Sequence, residues 1–152
     1  MSRIRTKRAN YPGLMDILAC LHAMRVSYQH SHWTSKGPMF FSRHQLFAKL
    51  YQSVADELDT LAEKMVGMGG SYCIDLTQLV TRTAEICATL PKDDNLVSKA
   101  LVLENMLQDL LKGQYETMKA EGSLTLGLDD FLMNVANNHE TNQYLLKQTL
   151  AV

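Results

Sequence analysis

Apolar residues recur along most of this chain at the i, i+3, i+4 spacing that places them on one face of a helix. From about Pro12 to His32 the stripe is Leu14, Ile17, Leu18, Leu21, Met24 and Tyr28, with Pro12 suited to a first helical turn. A second stripe runs through Phe47, Leu50, Tyr51, Val54, Leu58, Leu61 and Met65 to the stop at Gly67 to Gly70. Its start reads as a capping box over Ser42-Arg43-His44-Gln45, with Phe41 and Leu46 placed as a hydrophobic staple. The third helix is predicted over about Asn95 to Ala120, burying Leu96, Ala100, Leu103, Leu107, Leu110 and Leu111, with Gly113 as its weak point. The fourth runs over about Leu128 to Leu150, with Leu128, Phe131, Leu132, Val135, Leu146 and Leu150 facing inward.

The connections select a topology. Short links at Trp33 to Phe41 and Glu121 to Gly127 make two antiparallel hairpins, whereas Ser71 to Asp94 is long and has room for a short helix around Asp75 to Leu90. An all-α, four-helix bundle with one long crossover between its second and third helices is the ferritin-like arrangement.

Composition agrees with one soluble domain over 1–152: the mass is 17.1 kDa, 46% of residues are hydrophobic and 20% charged, with only three prolines and eight glycines. The formal charge of -1 excludes a polybasic nucleic-acid binder on bulk charge. That average hides an asymmetry. Arg3, Arg5, Lys7 and Arg8 make residues 1–10 a basic N-terminal arm and leave 11 basic against 16 acidic residues, a body at -5. No run of about 18 apolar residues and no signal-like apolar stretch occurs, so no membrane partner is expected. Cys20, Cys73 and Cys87 are odd in number and lack a C-x-x-C pair, which fits reduced, packed thiols and a cytoplasmic location.

Imidazole and carboxylate suit non-haem iron, so convergent His, Asp and Glu residues are the informative ones. His32 continues the first apolar stripe, His44 opens the second helix, and Asp59 with Glu63 form an i, i+4 pair. Singly, each has a plainer reading: buried or capping histidines, and a solvated acidic pair. His44 and Asp59 lie about 22 Å apart along one helix, so they cannot share an ion within a chain. Two copies of that helix packed antiparallel across a two-fold axis would bring His32 and His44 of one chain to Asp59 and Glu63 of the other. An intrachain di-iron centre needs Glu-x-x-His motifs, and none is present. His22, Glu104 and His139 are the residues that could converge inside the bundle instead.

The segment His32-Trp33-Thr34-Ser35-Lys36-Gly37-Pro38-Met39-Phe40, with His44, Asp59 and Glu63, resembles the Dps (DNA-binding protein from starved cells) family of mini-ferritins. The spacing from the His-Trp pair to the second histidine and on to the two acids matches the family pattern. Ala62-Glu63-Lys64, Gly69-Gly70 and the stretch from Asn138-His139-Glu140 to Leu145-Leu146 are also similar, so the resemblance covers nearly the whole chain. It implies a dodecameric shell that binds iron as Fe(II) at intersubunit sites, oxidises it with hydrogen peroxide or oxygen and stores the mineral. His32 and His44 would come from one subunit, Asp59 and Glu63 from its two-fold mate. Trp33 would lie beside the iron as a radical trap or an interface anchor.

One departure bears on activity. The family's usual carboxylate one turn after the second histidine is here Ala48, which cannot coordinate, so a mononuclear site or a shell with weak or vestigial ferroxidase chemistry is the alternative expectation. In that case the assembly would act chiefly as a DNA-binding or structural shell, with Arg3, Arg5, Lys7 and Arg8 on phosphates in twelve copies. Glu121, Asp129 and Asp130 would line a cation pore in a shell, or simply stabilise the start of the fourth helix.

Overall fold

The computed structural model describes residues 10–151. Five α-helices follow one another: α1 (Pro12–Thr34), α2 (Phe40–Gly69), α3 (Leu76–Ala88), α4 (Leu96–Glu121) and α5 (Leu126–Leu150), with a single 3-10 turn at Ser71–Cys73. No strand occurs among the described residues. The four long helices form the bundle and α3 lies within the crossover, packed against α1. An ion pair between Arg82 and Asp16 adds a tie there, on the surface where such pairs contribute little.

Side chains set most of the boundaries. Pro12 stands in the first turn of α1, where a missing N–H leaves nothing unsatisfied. Asp75, Asn95 and Thr125 cap α3, α4 and α5, their side-chain oxygens accepting from the backbone N–H groups of Gln78 at 2.7 Å, Ser98 at 3.0 Å and Leu128 at 3.1 Å. Gly122 ends α4 at φ 69, and the N–H groups of Gly122 and Ser123 return to the carbonyls of Lys119 and Met118.

The start of α2 differs from the capping box expected at Ser42. Gly37, at φ 85, reverses the chain, and the Phe40 N–H bonds the Gly37 carbonyl at 2.9 Å, so the helix already begins at Phe40. Ser42 is therefore inside the helix, its hydroxyl donating to the Met39 carbonyl, and Phe41, 71% exposed, forms no staple.

The core is the one the stripes predict. Leu14, Ile17, Leu18, Leu21, Met24 and Tyr28 of α1 pack with Phe47, Leu50, Val54, Leu61 and Met65 of α2, and with Ala100, Leu103, Leu107, Leu132, Val135 and Leu146 across the bundle. All three cysteines are free thiols. Burial pushes the Cys20 thiol up to about 12, so it behaves as a small packed hydrophobe. Among the described residues no helix is long and apolar enough to cross a membrane.

Candidate metal centre

The short α1–α2 link brings the last turn of α1 against the first turns of α2, and with it the two histidines. The rings of His32 and His44 stack with centroids 3.7 Å apart and planes 16° from parallel. Nδ1 of His32 lies 2.8 Å from the His44 carbonyl, and Nδ1 of His44 lies 2.8 Å from the His32 carbonyl. A carbonyl oxygen only accepts, so each Nδ1 must carry the proton and donate. The tautomer is thereby fixed, and each Nε2 keeps its lone pair for a cation. Tyr51 meets His32 edge-on and Phe40 stacks on His44, which holds both rings in place. Ala48 follows one turn later and offers no donor atom.

Asp59 and Glu63 are both exposed on α2, a turn apart, and neither reaches the histidines of its own chain. Among the described residues of one chain, no His, Cys, Asp or Glu set is arranged to hold a metal ion. Around the histidines, Trp33 (67% exposed), Met39 and Phe41 present an apolar surface. Such a surface is unusual on an isolated chain.

Glu104 and His139 do meet inside the bundle, but with Glu57 rather than His22. Nδ1 of His139 lies 2.6 Å from Oε2 of Glu104, and Nε2 lies 2.7 Å from Oε2 of Glu57. Both ring nitrogens therefore donate to carboxylates, which makes the ring an imidazolium and leaves no lone pair for a metal. Burial by itself would depress its pKa, but the hydrogen bonds and charges of Glu104 and Glu57 together outweigh it and raise the value to about 9. The Tyr28 hydroxyl donates to Oε1 of Glu104 at 2.7 Å, and Asn138 donates to Glu57, so the group is satisfied from four helices. His22, half-buried beside Arg25, has its pKa lowered by burial and by that charge.

Glu57 carries a readable signal: it lies three residues after Val54 and four before Leu61, on the buried stripe of α2. Glu104 and His139 sit likewise on the stripes of α4 and α5.

Of the acids near the α4–α5 link, Glu121 closes α4 and is exposed, as is Asp130. Asp129 stands in the first turn of α5, where the helix N-terminus favours a carboxylate; its Oδ1 is shielded without a partner. Arg3, Arg5, Lys7 and Arg8 lie outside the described residues.

A family profile described as a ferritin-like domain matches residues 13–152. Among curated proteins, the chain is 30% identical over 95 residues to a nutrient stress-induced DNA-binding protein of Nostoc, an alignment spanning 62% of this chain and half of that protein. It is 26% identical over 121 residues to the DNA protection during starvation protein 2 of Bacillus anthracis, covering 78% of this chain and 81% of that one. Among solved structures, the Dps protein of Vibrio cholerae, described as a member of a superfamily of ferritin-like diiron-carboxylate proteins, superimposes with a TM-score of 0.79. That match covers 92% of this chain and 87% of the other at 16% identity.

Proposed function

Because the chain belongs to the ferritin-like family, as a mini-ferritin of the Dps type, we propose that it oxidises Fe(II) at sites shared between two subunits and stores the ferric product in a dodecameric shell. The observation that carries this reading is the reciprocal hydrogen bonding of His32 and His44, which commits both Nδ1 atoms and leaves both Nε2 atoms for a cation. Asp59 and Glu63 of a second chain complete the donor set, because on their own chain they lie about 22 Å and about 28 Å along α2 from His44. Imidazole nitrogen with carboxylate oxygen suits ferrous iron, and the two carboxylates balance its charge. Two ferrous ions supply the electrons that reduce one hydrogen peroxide to two hydroxides, which removes the oxidant and deposits ferric iron. Protection from oxidative damage follows from that stoichiometry.

Trp33 serves this site twice, as an apolar anchor against the second chain and as an indole close enough to intercept radicals. Glu121, Asp129 and Asp130 draw cations toward the interior. Three unpaired thiols fit the cytoplasm as the compartment.

The test is complementation between subunits. Shells made only of His32→Ala/His44→Ala chains, or only of Asp59→Asn/Glu63→Gln chains, lose peroxide-dependent Fe(II) oxidation. Shells reassembled from an equal mixture regain about a quarter of the wild-type sites, because half of the two-fold pairs are mixed and each mixed pair has one intact site. A mixture as inactive as its parents rejects the shared site.

A second reading, a DNA-binding shell with weak ferroxidase chemistry, is favoured by Ala48 and by the basic charges at Arg3, Arg5, Lys7 and Arg8. Retardation of duplex DNA that is lost on deleting residues 2–8 supports it, and retardation that survives the deletion removes the arm's role.

A further inference from the structure

A polar pocket lies where the end of α1, the link into α2 and the start of α4 meet. Its volume is about 340 Å³, and Lys36, Arg43 and Lys99 line it together with His30 and a single acid, Asp94. Among the described residues none of these three fixed cations forms an ion pair. The Nε of Arg43 is shielded from solvent and has no hydrogen-bond partner. A buried donor left unsatisfied is costly, and the group that relieves it must accept hydrogen bonds. His30 and Lys99 also border an adjoining groove that carries Lys92. Four of the 11 basic residues of an otherwise acidic body are thus gathered at one end of the bundle.

We propose that this pocket is an oxyanion site that takes one phosphate group. Its hydroxyls do not select the ligand as donors, since Ser35 donates to the Ser31 carbonyl and Thr34 to the His30 carbonyl. Selection therefore rests on positive charge and on the guanidinium of Arg43, whose planar fork matches a phosphate edge. Concentration of cations in a concave pocket focuses the field on a small anion, whereas the same charges spread over a face would not. The phosphate comes either from inorganic phosphate or from a polynucleotide backbone, and in both cases the site is distinct from the basic arm.

The experiment uses the full-length assembled protein in chloride buffer at fixed ionic strength, with inorganic phosphate titrated calorimetrically and duplex DNA assayed by gel retardation. Arg43→Gln/Lys99→Gln is compared with Lys112→Gln/Lys119→Gln, two exposed lysines that line a groove between α4 and α5. Saturable phosphate binding that weakens at least tenfold only in the Arg43/Lys99 pair, with DNA retardation unchanged, establishes free phosphate as the ligand. DNA retardation that weakens at least tenfold only in that pair establishes the backbone source, with or without binding of inorganic phosphate. Wild-type protein that neither binds phosphate saturably nor depends on Arg43 and Lys99 for DNA retardation overturns the proposal. So does equal weakening in both pairs, which marks a diffuse charge effect.

Discussion

The imidazole of His139 and the carboxylate of Glu104 are 2.6 Å apart, and neither side chain is reached by solvent. With Glu57 on the other ring nitrogen, the histidine is held charged in the folded chain, its pKa raised to about 9. In an unfolded chain it titrates near 6.5. The folded state therefore holds this proton more tightly: its contribution is complete below about pH 6.5 and is lost as pH rises through 9. The difference corresponds to about 3 kcal/mol. The thermal midpoint of the wild-type protein is expected to fall between pH 6.5 and 9, and His139→Gln to flatten that fall. A wild-type midpoint constant over this range contradicts the assignment.

Glu104→Ala removes the acceptor shared by His139, Tyr28 and Asn142, leaving a buried imidazolium with only Glu57 as counter-charge. A destabilisation of about 3–5 kcal/mol is expected in denaturant unfolding. A loss below about 1 kcal/mol would mean that the cluster rearranges around water.

Ala48 is half-buried one turn beyond His44, so Ala48→Asp adds a carboxylate on the histidine side of the shared site. Fe(II) affinity is expected to rise about tenfold, equivalent to 1.4 kcal/mol. Unchanged affinity in a ferrous titration shows that position 48 does not face the ion.

Trp33 is the single tryptophan and is 67% exposed in the isolated chain. Its emission is expected to shift to shorter wavelength as chains assemble, with Trp33→Ala raising the dissociation constant of the two-fold pair about tenfold or more. Emission that stays at the solvent-exposed wavelength in the assembled protein places the indole outside the interface.

The helices were legible because each carries an uninterrupted apolar stripe, and because Pro12, Asn95 and Gly122 act where their local chemistry predicts. The start of α2 departs from its sequence pattern for a reason of the same kind: Ser42 and Gln45 have the spacing of a capping box, but Gly37 turns the chain sooner, and a turn of this kind precedes any cap downstream of it. The histidine pair was legible as residue types. Its reciprocal bonding to backbone carbonyls was not, since that depends on how closely α2 folds back onto α1.

Inside the bundle, Glu104 and His139 were legible as candidates, whereas Glu57 was not among them. Its place on the stripe of Val54 and Leu61 was the signal, and an acid on an apolar stripe needs a cationic partner from another helix. His22 failed as a third member because it is half-buried next to Arg25, away from that stripe crossing.

The ties between Tyr28, Glu57, Glu104 and His139 also govern when the chain locks into place. They join residues separated by 35, 76 and 82 positions, one from each long helix. The α4–α5 hairpin can make the Glu104–His139 tie by itself, but the ties from Tyr28 and Glu57 cross between hairpins, so the full set closes only when the two hairpins dock. If the inter-hairpin ties form after the rate-limiting encounter, Glu57→Gln accelerates unfolding and leaves the folding rate nearly unchanged, and equal slowing of folding places them in the nucleus instead. On the first outcome the polar cluster is a kinetic latch on the finished bundle, and it sets the lifetime of each folded chain rather than the speed of its assembly.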